Sequence, residues 1–342
     1  MLALQLERAL RFPRLRYMGS KYRLLPDLIP VFAELGGTSA LDGFCGSGVV
    51  AYALKSLGFA VTASDFLAFP SIIAAAVVEN DRGRLDEDDI DRIAGPARDD
   101  RDFIRRTFDG LYFTADDREF LDSAWSHIDV LTPPKRHLAI AALVLAAARK
   151  QPRGVFTFSE LRYDDGRRSL RLPLRQLFVE AAREYSAAVF DGGVSCRSVQ
   201  ADIFEVPAAG YDVVYLDPPY APPRDDNCYI KRYHFLEGLA VYWRGQAIRD
   251  DTKTKKLAKR YTPFSYKHTV IDALARAFRH FAESTIVLSY SSNAVPDAST
   301  IEKLLRAVKQ HVDVVEIEHR YSFGTHDRAK RRGVTEYVFV AR

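Results

Sequence analysis

An aspartate, two prolines and a tyrosine, Asp217, Pro218, Pro219 and Tyr220, directly follow the apolar run at residues 212–216. Proline fixes φ and has no N–H, so the pair predicts a rigid turn at a strand end. The carboxylate of Asp217 and the carbonyl of Pro218 then point outward as acceptors, and Tyr220 offers a flat face for stacking. Two acceptors that grip both N–H bonds of a conjugated exocyclic amine favour the pyramidal nitrogen that can attack a methyl group. The four residues are therefore predicted to be catalytic; the alternative is a rigid loop with an incidental aspartate.

A glycine-rich segment, residues 41–48, follows a second predicted strand and precedes a predicted helix. Gly46 and Gly48 would let the backbone approach a ligand closely, and a helix N-terminus favours electron-rich groups. Asp65 ends the next predicted strand, seventeen residues after Gly48, near the spacing of about 20 residues that serves to bind ribose hydroxyls. The segment predicts a nucleotide-like cofactor. Its GxGxxA form also fits a dinucleotide, and a plain tight turn between strand and helix is the simpler alternative.

Short β-rich runs that alternate with helical periods must position these motifs. Several runs are almost continuously apolar, as in strands that are covered on both faces. Strand and helix in alternation predict a doubly wound α/β sheet. The predicted strands are residues 38–42, 59–64, 212–216, 285–289, 312–317 and 334–340, and the predicted helices are residues 49–57, 137–148, 268–281 and 300–310.

The alternation stops between about residues 79 and 189, where the pattern is mostly helical and charged. Within this stretch an Asp-Gly turn at residues 165–166 separates two β-rich arms, which predicts a hairpin over about residues 155–172. The hairpin and residues 253–260 are basic and could face a polyanion or only solvent. We therefore predict a catalytic domain of residues 1–78 and 190–342, and an inserted domain of residues 79–189.

The composition is that of a soluble globular protein, with 47% hydrophobic and 27% charged residues and a net charge of +4. The longest apolar run, residues 137–148, is too short to span a bilayer. The Arg-rich N-terminal segment has no secretory pattern, which predicts a cytoplasmic protein. The three cysteines have no CxxC spacing and the eight histidines form no ligand-spaced cluster, so no metal is expected.

The segment Phe44-Cys-Gly-Ser-Gly48 followed by Asp217-Pro-Pro-Tyr220 resembles the adenine-N6 DNA methyltransferases. The order of parts resembles the alpha group, the Dam-like enzymes, because a cofactor motif precedes the glycine loop and a target-recognition region lies before the Asp-Pro-Pro-Tyr turn. Residues 16–25 resemble the family's N-terminal motif, and residues 198–204 resemble the segment whose aspartate holds the cofactor's adenine. The inserted region matches the family only in position and in its basic hairpin.

This resemblance implies a Rossmann-like, S-adenosylmethionine-dependent methyltransferase fold with a mixed seven-stranded sheet and an inserted, mostly helical target-recognition domain. It implies methyl transfer from S-adenosylmethionine to N6 of adenine in double-stranded DNA by base flipping, without a metal or a membrane. A separately encoded restriction endonuclease stays open as a second partner. The expected cofactor-binding residues are Tyr17, Lys21, Phe44, Gly46, Gly48, Asp65, Asp202 and Asp217.

DNA contacts are expected at the arginines of the N-terminal motif and of the hairpin, because a two-stranded ribbon fits the major groove and Arg can grip guanine. Arginines that meet only phosphates are the alternative. The expected DNA-binding residues are Arg16, Arg162, Arg167, Arg168 and Arg171.

Other methyltransferase classes fit the sequence less well. A cytosine-C5 enzyme is excluded because no cysteine stands in a Pro-Cys loop, and cytosine-N4 enzymes usually carry Ser ahead of the Pro-Pro pair. Methylation of RNA, and a catalytically silent DNA-binding relative, both stay open. Tyr229 and Tyr233, after the Asp-Pro-Pro-Tyr turn, could line a base pocket or only stabilise their own loop.

Overall fold

The computed structural model describes residues 2–151, 154–157, 166–223, 228–321 and 332–342. Within these ranges the strands form one seven-stranded sheet in the order β3-β2-β1-β4-β5-β7-β6. The strands are β1 Ser39–Asp42, β2 Ala60–Asp65, β3 Arg197–Gln200, β4 Val213–Leu216, β5 Thr285–Ser291, β6 Val312–Tyr321 and β7 Arg332–Ala341.

Strands β1 to β5 run parallel to one another, whereas β7 runs antiparallel to both β5 and β6. The sheet is therefore mixed, as predicted. The chain leaves β1 toward β2 on one side and later returns to β4 on the other side, so the strand order reverses between β1 and β4. In open α/β sheets the crevice outside the carboxyl ends of the strands at such a reversal is the usual ligand site.

Thirteen helices surround the sheet in the described ranges. They are α1 Leu2–Ala9, α2 Leu25–Leu35, α3 Val49–Ser56, α4 Ala68–Ala74, α5 Glu87–Ile93, α6 Phe103–Thr107, α7 Ala115–Ile128, α8 Lys135–Arg149, α9 Arg168–Arg171, α10 Leu174–Ala188, α11 Tyr229–Val241, α12 Val270–His280 and α13 Ala298–Arg306. None of them is long and apolar enough to cross a membrane.

Each face of the sheet has its own hydrophobic core because alternate side chains of a strand point to opposite faces. Val213 and Tyr215 of β4 join the core formed with α1 to α4 and α8, α10 and α11. Val214 and Leu216 join the core formed with α12 and α13. Every residue of β4 is buried, which explains its continuous apolar run.

All six predicted strands are present, but β3 was not among them. Its four residues are only half-buried or exposed, so they lack the apolar alternation on which strand prediction depends. The strand is fixed instead by backbone pairing with β2.

The predicted hairpin at about residues 155–172 is wrong where the structure describes it. Its second arm is the helical turn α9, with Leu170 buried, and residues 155–157 of its first arm form no strand. Leu170 and Leu172, which are separated by one polar residue, fit a strand. So short a pattern does not discriminate between strand and helix. Asp165 of the predicted turn and Arg162 lie outside the described residues.

The inserted region is mostly helical in its described part, as predicted. Its side chains are continuous with the core on one face of the sheet: Phe156 stacks on Phe235 of α11 at 4.8 Å, and Phe108 meets Trp243 at 4.8 Å. The division into a catalytic and a target-recognition domain stays a prediction.

Candidate active site

Three carboxylates, two of them buried and the third half-buried, meet at the carboxyl edge of the sheet. Asp42 ends β1, Asp65 ends β2, and Asp217 directly follows β4. These strands are neighbours and run parallel, so their ends lie side by side at the reversal of the strand order. Burial is the largest cause that raises the pKa of each carboxyl: Asp42 to about 8, Asp65 to about 7 and Asp217 to about 6.

The glycine loop connects β1 to α3 along this edge. Gly46 and Gly48 have φ values of +49° and +83°, in the left-handed region that glycine tolerates. A Cβ on Gly46 would lie 2.8 Å from the Tyr17 ring. Asp65 shapes the loop, because its Oδ2 accepts a hydrogen bond from the Gly46 amide at 3.0 Å and its Oδ1 accepts one from the Leu67 amide at 3.0 Å.

The N-terminal motif is held at the same edge by two tyrosines of α11. The ring of Tyr17 stacks on that of Tyr233 at 4.9 Å. The Met18 amide donates to the Tyr233 hydroxyl at 2.7 Å, and the Tyr229 hydroxyl donates to the Met18 carbonyl at 3.1 Å. Tyr229 and Tyr233 therefore clamp the motif in place, a role that the sequence did not distinguish from lining a base pocket.

Lys21 is the cation of the site, and its side chain is only 2% exposed. Its Nζ donates to both oxygens of Asp217 at 2.7 Å and to the Gly19 carbonyl at 3.0 Å. The same Nζ lies 3.3 Å from Oε1 of Glu336, a fully buried residue of β7. Lys21 and Asp217 are 196 residues apart in the sequence, so only the fold brings this ion pair together.

The Tyr220 side chain contacts the ion pair of Lys21 and Asp217. Its hydroxyl lies 2.9 Å from Asp217 Oδ1 and also contacts Glu336 Oε1. Lys21 Nζ lies 5.0 Å from the centre of the Tyr220 ring. Lys21, Asp217, Tyr220 and Glu336 thus form one hydrogen-bonded network, which we call the lysine–dicarboxylate network.

A cavity beside this network gathers most of the predicted cofactor residues. Gly48, Asp202, Pro218 and Tyr220 do not line it. Asp202 lies beyond β3, where its Oδ1 accepts a hydrogen bond from the Phe204 amide at 3.0 Å. The predicted residues that line the cavity are Tyr17, Lys21, Phe44, Gly46, Asp65, Asp217 and Pro219.

Two acidic residues of the site were not predicted. Asp42 lines the cavity; its Oδ2 accepts the Ala51 amide, but its buried Oδ1 makes no hydrogen bond of normal geometry with the described residues. Glu336 lies in β7 between the buried residues Val334 and Val338. Alternation along β7 places these three side chains on one face of the sheet. A carboxylate between two apolar residues of the same strand face was therefore the feature of the sequence that could have identified Glu336.

The expected DNA-binding arginines lie in varied environments. Arg16 and Arg171 are exposed and Arg167 is half-buried. Arg168 forms two hydrogen bonds with Glu180 of α10, at 3.0 and 2.7 Å. In the described ranges no group of three or more His, Cys, Asp or Glu side chains is placed to hold a metal ion.

A parallel sheet with an antiparallel β7, a glycine loop after β1 and an Asp-Pro-Pro-Tyr turn after β4 together define a Rossmann-like methyltransferase fold. Residues 17–124 match the family model of D12 class N6 adenine-specific DNA methyltransferases. The chain is therefore an adenine-specific DNA methyltransferase, an enzyme that acts on DNA and requires a methyl donor, and the resemblance to the Dam-like enzymes is confirmed.

The matched residues include the N-terminal motif from Tyr17 onward, the glycine loop and Asp65, whereas the Asp-Pro-Pro-Tyr turn and β7 lie beyond them. No curated protein matches the sequence. The cytoplasmic location and the restriction endonuclease partner stay predictions.

Proposed function

We propose that the enzyme transfers the methyl group of S-adenosylmethionine to N6 of adenine in duplex DNA, with the target base turned out of the helix. The observation that carries this proposal is the position of Asp217. Its carboxylate lines the cavity at the reversal of the strand order, beside the β1 strand end that leads into the glycine loop. Turning the base out follows from the chemistry, because N6 is paired and stacked within a duplex.

The residues of the cavity suit a donor that carries positive charge. The donor would supply an electrophilic methyl group attached to a sulfonium sulfur. Lys21, Asp217 and Glu336 carry a net charge of −1 if both carboxylates are ionised, and the uncompensated Oδ1 of Asp42 lies in the same cavity wall. Asp42 would hold an ammonium group, while the glycine loop and Asp65 would hold the nucleoside part.

In the reaction, Asp217 and the Pro218 carbonyl would each accept a hydrogen bond from one of the two N–H groups of the target amine. Burial alone would keep Asp217 protonated near neutral pH, but the two hydrogen bonds from Lys21 lower its pKa, which opposes the effect of burial. Lys21 thus helps to keep the acceptor ionised. Tyr220 would stack on the extruded base.

Methylation assays with a labelled donor and three nucleic acids would test this function: a duplex DNA pool, the same DNA as single strands, and ribosomal RNA. We expect N6-methyladenine in duplex DNA, identified by mass spectrometry of the nucleosides. A 2-aminopurine at the target position should brighten when the enzyme binds, because unstacking removes quenching. N4-methylcytosine as the product, or transfer only to RNA, would contradict the proposal.

We predict that Asp42→Asn weakens binding of S-adenosylmethionine by about 10-fold or more, the value of one hydrogen bond to a charged group. A cation is held by the ionised carboxylate, and burial raises the pKa of Asp42 to about 8. Affinity of the wild type should therefore fall as the pH drops below about 8, and the variant should lose much of this dependence. Calorimetry between pH 6 and 9 measures both effects.

Asp27→Asn serves as the control, because Asp27 is an exposed carboxylate on α2. The control should bind S-adenosylmethionine as the wild type does at every pH. Wild-type affinity in a folded Asp42→Asn variant would remove Asp42 from the cofactor site. Tight binding of NAD by the wild type would contradict the cofactor assignment.

We also propose that the arginines at the predicted positions contact DNA, and we predict that Arg171→Ala weakens DNA binding. A base-reading arginine should lose about 1–3 kcal/mol at one position of the target, and a phosphate contact should reduce the salt slope by about one. Binding to a randomised duplex library at several salt concentrations separates these cases. If Arg171→Ala binds every sequence as the wild type does at every salt concentration, the assignment is contradicted.

A further inference from the structure

Glu336 contributes only its charge to the function proposed above, yet it is fully buried beside the catalytic turn. It lies on β7, opposite Ser291 of β5 and Ile317 of β6. Its Oε1 reaches two members of the lysine–dicarboxylate network, Lys21 and Tyr220. A buried carboxylate is unfavourable unless it is paired or hydrogen-bonded, and these contacts account for its presence.

The hydroxyl of Tyr220 carries one proton but faces two carboxylates, Asp217 Oδ1 and Glu336 Oε1. It can donate to only one of them at a time. Lys21 Nζ donates to both oxygens of Asp217 at 2.7 Å but lies 3.3 Å from Glu336. The Tyr220 hydroxyl also lies closer to Glu336 Oε1 than to Asp217 Oδ1, so its proton is better placed for Glu336.

We propose that Glu336 is a positioning residue of the methyl transfer. It takes the single proton of the Tyr220 hydroxyl, so that Asp217 keeps an acceptor lone pair for the target amine. Without this acceptor the Tyr220 hydroxyl would turn its proton to Asp217 and compete with the substrate. Glu336 also holds the Tyr220 ring at a fixed angle, since it anchors the far end of the ring.

The charge of Glu336 also affects a second measurable quantity, the pKa of Asp217. In the described part of the chain, charged and titratable groups from several elements face Asp217. They include Lys21 from the N-terminal motif, Tyr220 from its own loop, Glu336 from β7, Asp42 from β1 and Tyr215 from β4. Burial and the charge of Glu336 raise the pKa of Asp217, whereas Lys21 lowers it. Removal of the Glu336 charge should therefore lower the pKa of Asp217.

The test compares Glu336→Gln with the wild type and with Glu316→Gln. Glu316 is an exposed carboxylate on the neighbouring strand β6, so this control removes the same charge from outside the network. We expect Glu336→Gln to lower kcat by about 10- to 100-fold, the effect of losing one hydrogen bond to a charged group. KM for DNA and for the methyl donor should change little, and the acid limb of the kcat–pH profile should move to lower pH. Glu316→Gln should match the wild type.

A double-variant cycle tests whether Glu336 affects kcat through the Tyr220 hydroxyl. If Glu336 acts through the Tyr220 hydroxyl, Glu336→Gln should lower kcat much less in a Tyr220→Phe background than in the wild type. Additive losses would mean that Glu336 acts by another route and would overturn the inference. A folded Glu336→Gln variant with wild-type kcat and pH profile would overturn it as well.

The expected changes in kcat and in its pH profile rest on the proposed function, so one further measurement does not require the enzyme to methylate DNA. The ¹³C chemical shift of the Asp217 carboxyl carbon, assigned with Asp217→Asn, gives its pKa directly. We expect a midpoint above the ordinary carboxyl range in the wild type and a lower one in Glu336→Gln. An ordinary wild-type midpoint overturns the inference even if Glu336→Gln does not fold. If the titration behaves as expected but no N6-methyladenine forms, the proposed reaction fails and the electrostatic link between Glu336 and Asp217 stands.

Discussion

Asp217→Ala is expected to reduce the single-turnover rate of methylation by about 10²–10³-fold, by analogy with the loss of one preorganised hydrogen-bond partner of a transition state. The acceptor of the target N–H is gone, and the Pro218 carbonyl alone cannot hold the amine in a reactive geometry. Stability should change little, since Lys21 can still pair with Glu336, 3.3 Å away. Rapid-quench assays with enzyme in excess over DNA measure the rate.

DNA binding separates a chemical defect from a structural one in this variant. Asp217→Ala should bind duplex DNA with nearly the affinity of the wild type, and Asp27→Ala, which alters an exposed carboxylate of α2, should retain full activity. Methylation by Asp217→Ala at close to the wild-type rate would show that the Asp-Pro-Pro-Tyr turn does not perform the chemistry.

Lys21→Met is expected to destabilise the protein by about 3–5 kcal/mol at pH 8, because it removes the ammonium group that contacts both Asp217 and Glu336. Asp217 is 17% exposed and Glu336 is fully buried, so solvent can screen little of their repulsion. The pKa of Asp217 is already raised to about 6 with Lys21 present, and loss of the lysine should raise it further. Protonation then relieves the repulsion, so the destabilisation should be smaller at pH 5 than at pH 8.

Urea unfolding of wild type and variant at the two pH values measures this effect. Lys303→Met is the control, since Lys303 is exposed on α13 and its loss should change the free energy of unfolding little at either pH. A Lys21→Met variant that is as stable as the wild type at pH 8 would mean that the two carboxylates do not both ionise in the folded protein.

The sequence by itself determined the parts of the site that depend on neighbours along the chain. A proline pair after a buried strand can form only a rigid turn, so Asp217 and Tyr220 were predictable from residues 212–220 alone. The glycines at Gly46 and Gly48 needed left-handed backbone angles, and both have them. The apolar runs predicted six of the seven strands, because strands buried on both faces leave a continuous signal.

The local signal failed where a segment was short or exposed. Strand β3 has no buried face, so only its pairing with β2 makes it a strand. Leu170 and Leu172 alternate with polar residues, yet residues 168–171 form the helical turn α9, in which Leu170 is buried. Over six residues the difference in free energy between strand and helix is small, and tertiary packing decides it.

Only the tertiary structure decided which charges meet. Lys21, Asp217 and Glu336 come from the N-terminal motif, the turn after β4 and the last strand. Lys21 and Asp217 are 196 positions apart in the sequence, so no local pattern predicts their contact. Glu336 reaches the catalytic turn because β7 inserts antiparallel between β5 and β6. The sequence shows which groups are present, but distance and burial set their pKa values and their partners, and both arise only when the sheet has formed.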